Sequence, residues 1–269
     1  MYSFFKKYKV NILILSPPIM VFLSKSPLVS QFDLSCVKVI RSGGAPLGKE
    51  LRNSVKKRLN ISIVQQSYGM TECVSISGQT IGNEKPGSVG VLRPGTFGQV
   101  ICLESGKSLG PYKHGELIFK SDAVMKGYIN NEAATQQTID ADGWLHTGDI
   151  GYYDSDGEFF VVDRLKELIK YKGFQVPPAE IEDILLQHPK VADAAVVGVP
   201  DARTGEKALA VIVKQGAVSE KEIVDYVAKL VSPPKRLHGG VIFVPIIPKN
   251  AGGKILRKDL RSFVNKSKL

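Results

Sequence analysis

Apolar and polar positions keep three different rhythms along this chain. Val37 to Ile40 reads as a short strand, and Arg41 to Gly48 follows as a glycine- and proline-containing turn. Leu51, Val55 and Leu59 then recur every four residues, the spacing of one buried helix face. Ile61 to Val64 reads as the next buried strand. Strand, loop, helix, strand is the alternation of an α/β layer. From about residue 85 the rhythm changes to short alternating runs, such as Phe97 to Cys102 and Glu116 to Phe119, separated by glycine turns. That pattern predicts antiparallel sheet or a distorted, barrel-like part. Asp154-Ser-Asp-Gly157 has part of a calcium-loop pattern but lacks the distal glutamate, and reads as a hairpin turn before Glu158 to Val162.

A second unit begins near Arg164. Pro177 and Pro178 open a helix with Ile181, Ile184 and Leu185 on one side, ended before Pro189. Strands are predicted around Ala194 to Val199 and Ala208 to Lys214. Ser219-Glu-Lys-Glu222 is a capping box, Val241 to Val244 another strand, and a basic helix ends the chain. The expected organisation is an α/β part over 1–163 and a small α+β domain over 164–269.

Composition narrows the class. The 269 residues suffice for one large or two smaller domains, and 43% hydrophobic with 23% charged is ordinary for a globular protein. No run approaches the roughly 18 apolar residues of a membrane span. Lys6, Lys7 and Lys9 precede the apolar Val10 to Leu15, the order of a secretory signal. That run is short and Pro17 and Pro18 interrupt it, so a basic helix and a buried strand are expected. Cys36, Cys73 and Cys102 are odd in number and widely spaced, which argues against a disulfide framework, and the four histidines form no metal-ligand cluster. The net charge of +10 raises nucleic acid as a partner, but seven basic residues and one acidic lie between Lys249 and Leu269. Aromatic residues do not alternate with those charges as base-stacking requires, so a solvated tail is expected and no nucleic acid.

Four segments, read as loops, carry candidate chemistry. Ser42-Gly-Gly-Ala-Pro46 lies between strand and helix, where glycine lets backbone approach a ligand. Gln66-Ser-Tyr-Gly-Met-Thr-Glu72 offers a ring to stack on a base, a hydroxyl for phosphate and a carboxylate for Mg²⁺. In Asp142 to Asp149 and Asp163 to Gly173, Asp149 and Arg164 suit ribose or phosphate, and Lys166, Lys170 and Lys172 add positive charge. Pro248-Lys-Asn-Ala-Gly-Gly-Lys254 places a lysine after two glycines, able to set an ammonium against developing negative charge. Each alone also fits a structural turn or a solvated face.

Together and in this order, the segments resemble the adenylate-forming superfamily, in particular beetle luciferases, luciferase-like acyl-CoA synthetases and 4-coumarate–CoA ligases. The resemblance covers essentially the whole chain. It implies a partial large domain, with an α/β layer and a barrel-like part, and a complete small mobile α+β domain. It implies an ATP-dependent acyl-CoA ligase that joins a carboxylic acid to AMP and then to CoA, using ATP, Mg²⁺ and CoA. By that resemblance Gly44, Ala45 and Pro46 line the adenine and acyl site, and Gln66, Ser67, Tyr68, Gly69 and Thr71 form the AMP-binding motif. Glu72 takes the Mg²⁺ position, Asp149 and Arg164 contact ribose, and Asp163 is the hinge. Lys254 serves adenylation, with Thr71 and Glu72 beside the reacting phosphate. Lys172 and Gly173 contact CoA, and Lys166, Lys170 and Gln175 lie on the face of the second half-reaction.

Departures from the pattern set the alternatives. Ser67 stands where many relatives carry glycine, and Ile76 where luciferases carry a small residue beside the luciferin pocket, which favours an acyl or aryl acid ligase. The Ser/Thr/Gly-rich phosphate loop of the family is expected upstream of this sequence, so a truncated and inactive chain with an exposed sheet edge is one expectation. A non-catalytic remnant binding AMP or CoA is the alternative, and a luciferase-like monooxygenase another. Ser267-Lys268-Leu269 matches the address read by the peroxisomal import receptor, which predicts a peroxisomal protein.

Overall fold

The computed structural model describes residues 7–45, 47–250 and 253–267. Two compact units divide the chain, Met1–Val162 and Asp163–Leu269.

The first unit opens with β1 (Ile12–Leu15), α1 (Pro17–Lys25), β2 (Val39–Ser42), α2 (Lys49–Leu59) and β3 (Ile63–Met70). β4 (Cys73–Gly78) and β5 (Val91–Leu92) complete a sheet in the order β1-β2-β3-β4-β5. β1, β2 and β3 are parallel, whereas β4 and β5 are antiparallel to their neighbours. The helices bury Met20, Leu23 and Val55 against Leu13, Ile40 and Val64. Each such side chain contributes about 1.5–3 kcal/mol by leaving water. Asn60 ends α2 in the left-handed conformation at φ 52°, a C-terminal stop that asparagine tolerates.

Two strand expectations need correction. β1 is not a buried strand: Leu13 faces the core, but Ile14 is 79% exposed and Ile12 is exposed too. It lies at the sheet edge with only one face covered. The AMP-motif segment is not a loop either. Gln66 to Met70 continue β3, because Ser67 pairs with Gly78, Tyr68 with Ser77 and Met70 with Cys73 across a bulge.

A second sheet of β6 (Phe97–Ile101), β7 (Gly115–Lys120), β8 (Leu145–Tyr153) and β9 (Phe159–Arg164) follows, with α3 (Glu132–Thr138) before β8. The expected barrel-like part is instead an open sheet in the order β6-β7-β8-β9 among the described residues. Barrel closure requires the first and last strands to pair. Here β9 spends hydrogen bonds on the loop before β5, through Val89 N–H to Phe159 O and Phe159 N–H to Gly90 O. The Asp154–Gly157 turn is the expected hairpin: Asp154 Oδ1 accepts from the Asp156 and Glu158 amides, and Lys85 pairs with Asp154.

The second unit contains β10 (Ile169–Tyr171), β11 (Phe174–Val176), α4 (Pro178–Gln187), β12 (Val191–Asp201), β13 (Gly205–Lys214), α5 (Glu220–Leu230), β14 (Gly240–Phe243) and α6 (Arg257–Ser267). Strands run β11-β10-β13-β12, with β14 parallel to β13. The β12–β13 hairpin is apolar on both faces. Ala194, Val196, Ala208 and Ala210 pack with α4 and α5, and Ala195, Val197, Leu209 and Val211 pack with Leu260 and Val264 of α6. A strand covered on both sides reads as a continuous apolar run rather than an alternation. The capping box forms: Ser219 Oγ accepts from the Glu222 amide, and the Glu222 carboxylate is stabilised by Lys190 and by the Ser219 amide.

Candidate nucleotide and acyl-transfer site

Ser42 ends β2 and the strand-loop-helix segment passes over the carboxyl end of β3, the end of a parallel sheet where ligands bind. Gly44 takes φ 84° and Ala45 is half-buried; Pro46 lies outside the described residues. A Cβ at Gly43 would sit 3.1 Å from Ser67 Oγ, so this loop runs beside the AMP motif. The Ser67 hydroxyl is therefore accommodated against a glycine.

Buried amides hold the motif's strand. The Gln66 amide donates to Gln79 Oε1 at 2.9 Å, Gln65 Nε2 to the Gln79 carbonyl at 3.0 Å, and Gln79 Nε2 to the Ser88 carbonyl. Gly69 has a steric reason to be glycine. A Cβ there would stand 2.1 Å from the Val74 carbonyl oxygen across the β3–β4 hairpin.

The decisive contact joins two motifs 81 positions apart: the Tyr68 hydroxyl donates to Asp149 Oδ2 at 2.6 Å. Asp149 sits on β8 and not in a loop, with 4% exposure, and its amide donates to Thr147 Oγ1. Thr147 in turn donates to the Leu117 carbonyl, so β7 and β8 fix the carboxylate's position.

Glu72 and exposed Thr71 occupy the tight turn after β3. Tyr128 donates to Glu72 Oε1 at 2.6 Å, and the Met125 amide to the Glu72 carbonyl at 2.7 Å. The bond to Glu72, then burial, raises the Tyr128 phenol above its ordinary value, while Thr138 opposes this. Tyr128 had no sequence signal, lying in an ordinary Lys-Gly-Tyr stretch. A hydroxyl and one carboxylate fit Mg²⁺, a hard cation that takes few protein ligands and fills its shell with water and phosphate. Among the described residues no group of three or more His, Cys, Asp or Glu forms a dedicated metal cage.

In the second unit, Asp163 is 6% exposed and accepts from the Ala179 amide at 2.9 Å and from the Arg164 amide, capping α4. Burial pushes its carboxyl up to about 6, against the pull of those amides and of Arg257, with Glu182 adding to the rise. Arg164 is half-buried at the end of β9, and Lys166 is exposed on the 3-10 turn that follows. Lys170 and Gln175 are exposed cross-strand partners of the β10–β11 hairpin. Lys172 (φ 49°) and Gly173 (φ 81°) form its two-residue turn, and two positive φ values are the signature of a type I′ turn. The Lys172 amide is tied to the Thr204 carbonyl at 2.8 Å. Lys254 is exposed in a second hairpin, where its amide donates to Asn250 Oδ1 and its carbonyl accepts from the Asn250 amide. Ser267 ends α6, and Lys268 and Leu269 lie outside the described residues. No helix among the described residues is long and apolar enough to cross a membrane.

The chain is similar to known proteins. Residues 1–129 match the AMP-binding enzyme family and residues 180–254 the AMP-binding enzyme C-terminal domain. The chain is 50% identical over 262 residues to luciferin 4-monooxygenase of Nipponoluciola cruciata, covering 96% of this chain and 48% of that protein. It is 47% identical over 263 residues to 4-coumarate–CoA ligase of Pinus taeda, covering 96% and 49%. The crystal structure of anthranilate CoA ligase AuaEII with anthranoyl-AMP superposes with a TM-score of 0.91 at 28% identity, over 100% of this chain and 52% of that one. ATP-bound MatB from Rhodopseudomonas palustris gives 0.86 at 30%, over 95% and 51%. The chain thus spans about half the length of the curated relatives it matches.

Proposed function

Because the chain belongs to the AMP-binding enzyme family of adenylate-forming proteins, we propose that it supplies the AMP-facing and CoA-facing parts of an ATP-dependent acid–thiol ligase. In this reading a carboxylate attacks the α-phosphate of ATP, releasing pyrophosphate and leaving an acyl-adenylate. The CoA thiol then attacks the acyl carbon, and AMP departs.

The observation that carries the reading is the Tyr68–Asp149 hydrogen bond. It holds an aromatic ring beside a buried carboxylate; in this reading the ring would meet the base and the carboxylate the ribose. Gly44, Ala45 and Pro46 would border the same nucleotide, with Arg164 a second ribose contact. Lys254 would stabilise charge developing on the carboxylate and phosphate. Mg²⁺ would neutralise phosphate charge, held by Glu72 with Thr71 alongside. Lys172 and Gly173 would meet CoA once Lys166, Lys170 and Gln175 face the adenylate, with Asp163 as the pivot.

The second half-reaction needs no contact to the β- or γ-phosphate, so it is the step to assay. With preformed 4-coumaroyl-adenylate and CoA, thioester should form, and Lys172→Ala should slow it at least tenfold. No thioester from a cooperatively folding chain would overturn the reading in favour of a binding-only protein.

One observation favours a second reading: luciferin 4-monooxygenases are 48–51% identical to this chain. Ile76 is fully buried among Cys73, Val100 and Phe119. Light from the chain with luciferin, ATP and Mg²⁺ would establish the oxidative reaction, and darkness alongside thioester formation would dismiss it.

The sequence Ser267-Lys268-Leu269 supports delivery to the peroxisome by its import receptor. A fluorescent protein ending in residues 258–269 should collect in peroxisomes and disperse on Leu269→Ala; diffuse signal from the unaltered sequence would refute the assignment.

A further inference from the structure

The exposed hairpin that carries Lys254 is anchored at both feet. On the entering side, Lys249 Nζ pairs with Asp193 Oδ2 at 2.6 Å, beside the start of β12. On the leaving side, Arg257 grips the Glu182 carboxylate on α4 with two nitrogens, Nη1 to Oε1 at 2.5 Å and Nη2 to Oε2 at 3.0 Å. The same guanidinium donates to the Val196 carbonyl at 2.9 Å, and Glu182 Oε1 accepts from the Val196 amide. Between the feet, Lys249 bridges to Ile255, Gly253 (φ 82°) donates to the Asn250 carbonyl, and Asn250 Oδ1 takes the Lys254 amide.

These contacts form a lock. A single anchor would leave the hairpin free to pivot, whereas ion pairs to two different elements fix both ends. Asn250 ties down the backbone of the lysine through its amide and carbonyl. The pairs differ in character: Arg257 is largely buried and bidentate, the geometry that gives a guanidinium directional hold. The Lys249–Asp193 pair is partly exposed, at 23% and 27%, so breaking it should leave the fold intact.

We infer that Lys249–Asp193 and Arg257–Glu182 are a two-footed clamp of positioning residues, which with Asn250 sets where the Lys254 ammonium is presented. The catalytic consequence rests on the ligase reading proposed above, but the clamp itself can be tested separately.

Lys249→Met removes one foot, and Lys249→Arg keeps a cation there. Amide exchange in the full chain should accelerate up to about fivefold at Lys254 in Lys249→Met, with β12, β13 and the melting temperature unchanged. Lys249→Arg should restore the slow rate, and Asp193→Asn should reproduce the fast one. In adenylation of 4-coumarate with ATP and Mg²⁺, Lys249→Met should lower kcat and leave KM unchanged, again with rescue by Lys249→Arg. Unchanged exchange at Lys254, or acceleration spread evenly over β12 and β13, overturns the clamp. Adenylation that falls through KM alone, without rescue, overturns the positioning role. Absence of both adenylation and thioester formation in the unaltered chain, with the exchange pattern as expected, sinks the ligase reading and leaves the clamp standing.

Discussion

Replacing Asp163 with asparagine should change how the stability of the second unit depends on pH. This carboxyl is 6% exposed, and burial lifts it from 3.8 to about 6. An acid whose folded pKa is raised binds its proton more tightly in the folded state, so its contribution is full below the unfolded value. That contribution disappears as pH rises through the folded value. The window is therefore about pH 4 to 6–7, and the shift of roughly two units corresponds to about 3 kcal/mol at about 1.4 kcal/mol per unit. Asparagine cannot ionise and loses this dependence. Its amide keeps one acceptor for the Ala179 and Arg164 N–H groups and opposes the other with a donor, a pH-independent cost of about 1–3 kcal/mol. Asp201 and Glu222 act in the opposite sense. Hydrogen bonds from Lys207 and Lys190 respectively hold them below their ordinary values, so their stabilisation is present above pH about 4–4.5 and lost in acid. They cancel in the difference between the two proteins. Urea titrations of the full chain at pH 4, 5, 6 and 7, read from hydrogen exchange of β12 and β13 peptides, give that difference. The variant should gain about 3 kcal/mol on the unaltered protein between pH 4 and 7. A difference that stays constant across this range refutes the buried-carboxyl argument.

Other substitutions test the first unit. Gly69→Ala puts a methyl group 2.1 Å from the Val74 carbonyl and should cost about 3 kcal/mol in urea unfolding. Gly44→Ala, with open space but φ 84°, should cost only about 1–2 kcal/mol; equal losses would contradict the steric account. Tyr68→Phe removes a donor from the buried Asp149 and should lower stability by about 1.5–3 kcal/mol, read from the fluorescence of Trp144 in the same unit. An unshifted midpoint would mean that this bond contributes nothing net. Glu72→Ala should bring the Tyr128 phenol down toward its ordinary value in an NMR titration of the tyrosine rings, because Glu72 is the largest cause of its rise. No movement would detach Tyr128 from Glu72.

What could be read from the sequence, and what could not, divides along the range of the information. The capping box at Ser219–Glu222, the helix with Leu51 and Val55, and the Asp154–Gly157 turn depend on neighbours within a few positions, and all three form. The extent of β3 depends on a partner strand. Gln66 to Met70 looks like loop because it is polar and contains glycine, yet Gly69 is what lets β4 approach. The open second sheet was equally hidden, since alternation marks strands but not whether the outermost two will meet. The candidate site follows the same division. Tyr68 and Asp149 were each recognisable from their motifs, but the bond between them spans 81 positions and needs the two sheets. Tyr128 and Arg257 escaped altogether, because their only distinction is what they touch: Glu72 in one case, Glu182 and the Val196 carbonyl in the other. Chemistry-bearing groups can thus be picked out by residue type and spacing, while the groups that hold them in place become visible only through contacts. That is why the motif segments alone pointed to Lys254, and the folded chain adds the two ion pairs on either side of it.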